Sequence, residues 1–448
     1  MNRVEDTLED SQRHVDEKLK YQDKLLQNQG WEYSAPRPSD EYWEDVEGSH
    51  VVESFLKQIK QRTMEMRYDN NVDGHIKIDA SILYHWELLP HWKEFAKALE
   101  QYSFFLSQSV DKRDNLELHL DGMDLPGEVV DLLSNALKST HFKSIDLRDN
   151  NFGQYGINFV LDYLESNRIL KELTIVSNPI NSMEDMNKLC KIVKRHPSID
   201  SLALDNCKGD GIDGYEMLKM IMNAGKNNLT SVDLSNNNIS TRGSTFISDF
   251  LATNFMLKSL FLEGNELDDN DAFGITKALK QNVYLDQLHL KYNNITKIGW
   301  KALRMAEFDD SSLNAAADSN HRCNIRYPPD GSDLIEGVDI SEMTGDRNGT
   351  VAYTPKSVRQ KKIYSVLSSR NRDCSNVKHF EDVPVEILSD MLHSFQSYSN
   401  YHVTPTEEDK KFTPPQNDNH VNPLSIVYEV CRHWEVSLAT FEALSSCG

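Results

Sequence analysis

The residues of this sequence that could do chemistry recur at fixed offsets from pairs of apolar residues. Seven carboxylates, Glu117, Asp121, Asp146, Glu172, Asp205, Asp233 and Glu263, share those offsets with two fixed cations, Arg148 and Lys291, with His119 and His289, and with Phe261. Carboxylates in such excess suit a cationic partner surface. Asp146, Glu172, Asp205 and Asp233 form the acidic middle, while Phe261, Glu263, His289 and Lys291 make a mixed end. The chain has no GxSxG, no HExxH, no phosphate-cradling Gly loop and no zinc pattern, so nothing specific points to a nucleophile, a metal or a cofactor. His85 and His91 lack a matching carboxylate or Cys cluster and are expected to be surface or packed histidines. The expected chemistry is recognition rather than catalysis, with no cofactor and no metal.

A repeat sets these positions. Residues 229–239, LTSVDLSNNNI, read LxxLxLxxNxL with Val232 in the second apolar slot, and the frame returns at Phe142, Leu170, Leu257 and Leu285. A variant from Ile199 carries Cys207 in the Asn slot; blurred copies start at Asn115, with Met123 there, and at Leu313, with His321 there. The second slots, Leu118, Ile145, Leu173, Leu202, Val232, Leu260, Leu288 and Ala316, are 27, 28, 29, 30, 28, 28 and 28 residues apart. Such regularity is the signature of a leucine-rich repeat array with degenerate ends. Alternation around LxL makes a short half-buried strand, whose intervening residues, the chemically capable ones, face outward. The Asn amide can bond backbone where the chain leaves the strand. A helix-period segment follows, such as that from Gly243 or Asn270, and its apolar stripe must face the strands. Strands stack at about 4.8 Å and helices at about 10 Å, so eight copies should curve with about 35 to 40 Å of sheet on the concave face.

Gly156, Gly243 and Gly299 stand four residues after the last apolar slot, and Asn167, Asn254 and Asn282 stand three before the first. Long repeats built this way resemble the ribonuclease-inhibitor-like class of leucine-rich repeats, over residues 90–325. The resemblance implies an α/β horseshoe solenoid, parallel sheet on the concave face and helices on the convex face, with helical extensions at both ends here. It also implies a non-catalytic protein-interaction scaffold, because extended concave surfaces are what such arrays commonly bind with. Asp146, Arg148, Glu172, Asp205, Asp233, Phe261, Glu263 and His289 are the expected contacts. The alternative is a GTPase regulator, since the repeats also resemble those of Ran GTPase-activating proteins. Arg148 is the one concave Arg able to lend charge to phosphoryl transfer, although the long acidic run of that family is missing.

With 48 basic and 70 acidic residues among 448, the formal charge is −22, which disfavours nucleic acid or an anionic membrane as partner and favours a protein with a basic surface. No apolar run reaches membrane-spanning length and the amino terminus is charged, so a cytoplasmic protein is expected. The six cysteines form no CxxC pair and read as reduced thiols, Cys207 as an Asn substitute. Sequons at Asn228, Asn238 and Asn294 fall in or beside the repeat frame, which supplies Asn and small polar residues anyway. The sequence leaves oligomeric state open.

The expected plan begins with a charged, partly disordered extension, 1–49, whose aromatics Trp31, Tyr33, Tyr42 and Trp43 pack on the array. A helical amino-terminal cap, 50–114, ends in a repeat half without a clean strand, and the array spans 115–325. A Gly-, Pro- and Asp-rich linker, 326–356, leads to a helical carboxy-terminal cap, 357–448, with a mobile polar loop at 401–421.

Overall fold

Strand and helix alternate along the computed structural model, which describes residues 28–68, 74–107, 116–138, 140–151, 153–327 and 354–373. Among the described residues, nine parallel strands follow one another in chain order: β1 (His75–Ile82), β2 (Glu117–Met123), β3 (Ser144–Arg148), β4 (Glu172–Thr174), β5 (Ser201–Ala203), β6 (Ser231–Asp233), β7 (Ser259–Phe261), β8 (Gln287–His289) and β9 (Asn324–Arg326). The chain divides into two compact units, Met1–Ser240 with Ser259–Asn265, and Thr241–Lys258 with Glu266–Gly448.

In the first unit, β1 to β7 pair in sequence. The apolar slots named above are register partners: Leu118 with Ile145, Ile145 with Leu173, Leu173 with Leu202, Leu202 with Val232, and Val232 with Leu260. All are buried, and the helices Gly127–Leu137, Met183–Arg195 and Gly214–Gly225 bury their own apolar stripes, for example Val129 and Leu133, Leu189 and Val193, Leu218 and Ile221. Each side of the return is fixed locally. Ser182 and Asp213 cap their helices by accepting backbone N–H groups, which satisfies donors that the first turn leaves orphaned.

Two asparagine ladders hold the coils together. At the strand exit, Asn150 Nδ2 donates to the Leu120 carbonyl at 2.7 Å, Asn178 to Leu147 at 2.6 Å, Asn237 to Leu204 at 2.7 Å and Asn265 to Leu234 at 3.0 Å. Cys207 fills the same slot, its thiol donating to the Ile175 carbonyl, and burial pushes that thiol up to about 12, so it stays protonated. At the helix exit, Asn167 Oδ1 accepts from Ile169 and Leu170 N–H at 2.8 Å. His196 takes over that place one coil later, Nδ1 facing Ile199 N at 3.1 Å and Nε2 facing the Asn167 carbonyl at 2.6 Å.

Coil spacing leaves no room for a side chain where the helix Gly214–Gly225 starts. A Cβ on Gly214 would stand 2.5 Å from the Asn237 carbonyl oxygen and 2.7 Å from that of Asn238. Gly214→Ala is therefore expected to displace this turn and cost about 1 to 3 kcal/mol. A urea midpoint equal to wild type would show that the coils do not approach this closely.

In the second unit, β8 pairs with β9, Leu288 opposite Ile325. The helix Asp269–Leu279 packs between Phe246–Thr253 and Lys297–Glu307, and its start carries a reciprocal capping box of Asp268 and Asp271. The helix Pro355–Asp373 packs on Leu313–Ala317, burying Val358, Ile363 and Val366.

Two expectations need correction. The stretch 50–114 is not wholly helical: β1 lies within it and pairs with β2 from His75–Glu117 to Asp79–Asp121. HIKIDASI alternates with period two, burying Ile76, Ile78, Ala80 and Ile82, but without Leu or the Asn slot it escapes the repeat frame. The blurred copy at Leu313 is a short helix, Leu313–Ala317, so Ala316 marks no strand; the partner of Leu288 is Ile325. The fold thus continues to β9 and Tyr327, into the stretch expected to be linker. Residues 28–49 pack against the first helices. Tyr33 Oη lies 2.8 Å from His91 Nδ1, the Arg67 guanidinium sits 4.1 Å above the Trp31 ring, and Ser39 caps the helix Asp40–Asp45. Residues 1–27, 328–353 and 374–448, with the last two expected helices and the 401–421 loop, lie outside the described residues.

Candidate functional site

The outward side chains of the first unit lie in lateral rows defined by the strand register. One row runs from His75 through Glu117, Ser144, Glu172, Ser201 and Ser231 to Ser259; the next runs from Lys77 through His119, Asp146, Thr174, Ala203 and Asp233 to Phe261. A third begins Asp79, Asp121, Arg148. The acidic residues of the middle are distributed over these rows. Asp146 and Asp233 share the middle row with Thr174 and Ala203 between them, Glu172 stands in the row before, and Asp205 follows β5. They still occupy successive coils, β3 to β6, in a zigzag.

Charge divides this face in two. Toward β1 the groups are paired: Arg148 Nε donates to both Asp146 oxygens at 2.9 and 2.8 Å, His119 Nδ1 lies 3.6 Å from the same carboxylate, and Lys77 is 3.0 Å from Asp79. Burial, then Asp79 and Asp146, raise the Asp121 carboxyl. From β4 to β7 the outward positions hold Glu172, Asp205, Asp233 and Glu263, and no Lys, Arg or His. Their neighbours Thr174, Ser201, Ala203, Ser231 and Ser259 are small, so the floor is low and the carboxylates are reachable. Asp205 accepts from Asn236 Nδ2 at 2.8 Å, and Asp233 accepts from Ser235 N–H at 2.9 Å. Burial raises the Asp233 carboxyl; Ser235 opposes this, and the Asp205 charge adds to it. Phe261 and Glu263 are half-buried at the end of this stretch.

His289 belongs to different surroundings. It lies in the second unit, where burial, then Arg326 and Lys291, push its imidazole down to about 4. It is neutral at pH 7 among cations. Repeat-based reasoning missed the contributions of β1, His75, Lys77 and Asp79, and of β9, Arg326; the period-two pattern of HIKIDASI was the signal for the first. Among the described residues, His75, Glu117 and His119 offer donor atoms that all lie within 4.8 Å of one another and could hold a metal ion. No helix of the described residues is long and apolar enough to cross a membrane.

The family model described as Leucine Rich repeat matches residues 225–247, which contain the LTSVDLSNNNI copy. No curated protein sequence matches the chain. Among solved structures, an internalin (inlF) from Listeria monocytogenes str. 4b F2365 is similar over 43% of this chain and 46% of that one, at 19% identity and a TM-score of 0.27. The chain thus spans less than half the length of that internalin. The repeat frame, its register in the parallel strands and the family match together make this an α/β leucine-rich repeat solenoid.

Proposed function

We propose that the chain is a non-catalytic interaction scaffold whose outward strand face from β4 to β7 docks a protein bearing Lys or Arg. The observation that carries this is the run of four successive strands whose outward positions hold four carboxylates, small neighbours and no cation. Like charges on strands about 4.8 Å apart repel one another, and a cationic partner relieves that repulsion. Exposed pairs contribute only about 0 to 1 kcal/mol each, so charge mainly sets association rate and salt dependence, while Phe261 supplies apolar contact at one end. The repeat lengths and helical returns support the ribonuclease-inhibitor-like subclass, and the free, buried Cys190, Cys207 and Cys323 fit a reducing, cytoplasmic setting.

The test is to capture a partner and titrate it against wild type, a Glu172→Gln/Asp205→Asn/Asp233→Asn variant and Phe261→Ala, at low and high salt. The triple variant is expected to bind more slowly and with a flatter salt dependence, and Phe261→Ala to dissociate faster. If neither changes affinity or its salt dependence, the partner uses another surface. The GTPase-regulator alternative would replace this reading if the captured partner is a GTPase whose hydrolysis the chain accelerates and Arg148→Ala abolishes the effect without weakening binding. Arg148 would first have to exchange Asp146 for the nucleotide.

A further inference from the structure

We propose that His75, Glu117 and His119 form a binding site for a divalent transition-metal ion, Zn2+ foremost, on the outward face of β1 and β2. The proposal stands independently of the docking surface, which lies on β4 to β7. His75 and Glu117 are register partners on adjacent strands, and His119 is two residues beyond Glu117 on the same face. The backbone therefore aims all three side chains into one space. His75 Nδ1 stands 2.9 Å and His119 Nε2 3.2 Å from the same oxygen, Glu117 Oε2. Ligand atoms on a tetrahedral Zn2+, about 2.0 to 2.2 Å from the metal, stand about 3.3 Å apart; both His–Glu separations are close to that value, and all the donor atoms lie within 4.8 Å of one another. Two imidazoles and one carboxylate are a donor set that Zn2+ accepts with a fourth position left open.

The surroundings support a cation. His119 directs its other ring nitrogen, Nδ1, toward Asp146 Oδ2 at 3.6 Å, the carboxylate–histidine arrangement that fixes the tautomer and strengthens the imidazole as a ligand. Asp146 is itself held by Arg148, leaving it little freedom. The nearby Lys77 is paired with Asp79, and Asp121 adds a further carboxylate beside Asp146. His75 and Glu117 are open to solvent at 58% and 30% of their side-chain areas, so an ion can enter without rearrangement of the fold.

Full-length protein freed of metal would be titrated with Zn2+ by calorimetry, beside a His75→Ala/His119→Ala variant, the conservative His119→Gln, and His141→Ala as a remote histidine control. Wild type and His141→Ala are expected to bind one Zn2+ equivalent more than the double variant. His119→Gln should lose that equivalent although it can still hydrogen-bond Glu117, and Asp146→Asn should weaken it by about 10- to 100-fold. Co2+ in the same site should give tetrahedral ligand-field bands without a thiolate charge-transfer band, which excludes the cysteines as ligands. Unchanged melting temperatures without metal would show that the variants fold. If wild type binds no such equivalent, or the double variant retains it, the proposal is overturned and the three side chains form a hydrogen-bonded cluster alone.

Discussion

Asn237→Ala is expected to lower the urea midpoint markedly. Asn237 is fully buried and uses its whole amide. Nδ2 donates to the Leu204 carbonyl at 2.7 Å and to Ser235 at 2.8 Å, while Oδ1 accepts Cys207 N–H at 2.9 Å and Lys208 N–H at 2.8 Å. Alanine removes all four bonds and leaves two backbone donors of the preceding coil without that acceptor. A stranded buried group costs about 1 to 3 kcal/mol, so a loss near 3 kcal/mol is expected, at the upper end of ordinary substitutions. The neighbouring Cys207 gives the effect its reach, because a thiol cannot accept as an amide oxygen does, so the Cys207 and Lys208 N–H groups rely on Asn237 Oδ1. The exposed Asn238 is the comparison, with one refinement that the backbone imposes. Its φ is +51°, left-handed, where Ala costs about 1 to 2 kcal/mol and Gly does not. Asn238→Gly should therefore be nearly neutral and Asn238→Ala modestly destabilising. Equal midpoints for Asn237→Ala and Asn238→Gly would remove the repeat register itself.

That register was legible because it is written in a chemistry that only one geometry satisfies. An amide that must bond two coils, at a fixed distance from an LxL strand, places Leu118 to Leu260 in sequence and in space together. The ends were less legible for physical reasons. A terminal coil has one neighbour instead of two, so β1 keeps the alternation of HIKIDASI but not the Asn slot, and the last strand is displaced to Ile325 by an inserted helix at Leu313–Ala317. The outward face was legible residue by residue but not as an arrangement. Alternation says that Asp146, Glu172, Asp205 and Asp233 face outward; only the cross-strand register shows that they zigzag over rows. Pairing was hidden too. Arg148 reads as a lone cation in the sequence and is an ion-pair partner of Asp146 in the fold. The His75–Glu117–His119 cluster needed β1 to be recognised, since one of its three members comes from that strand.

The second large effect is expected from Lys362→Met. Lys362 lies fully buried in the helix Pro355–Asp373. Its ammonium donates to the backbone carbonyl of Glu307 and, at 2.6 Å, to that of Asn320. Both acceptors belong to the end of the last coil. Asn320 repeats the helix-exit role of Asn167, accepting Arg322 and Cys323 N–H at 2.8 Å, and the Glu307 carboxylate accepts the Tyr327 hydroxyl at 2.7 Å. Methionine keeps the stem and its packing but removes the donors and the positive charge that faces buried Glu307. Removing one member of a buried charged set costs about 3 to 5 kcal/mol. The pH dependence distinguishes a buried lysine from a merely packed one. Burial pushes Lys362 down to about 8 from 10.5 despite the opposing attraction of Glu307. Between these values the unfolded chain binds a proton that the folded chain has shed, so this group's contribution to stability rises with pH across that window, is complete above about 10.5 and is lost as pH falls through about 8. The stability gap between wild type and Lys362→Met should accordingly widen from neutral pH toward pH 10. Truncation after Lys356 should act in the same direction and promote aggregation, because it uncovers the surface that Val358, Ile363 and Val366 bury. A Lys362→Met protein that melts with wild type at every pH, together with a truncated chain that stays monomeric, would show that this helix is an appendage and that the last coil closes without it.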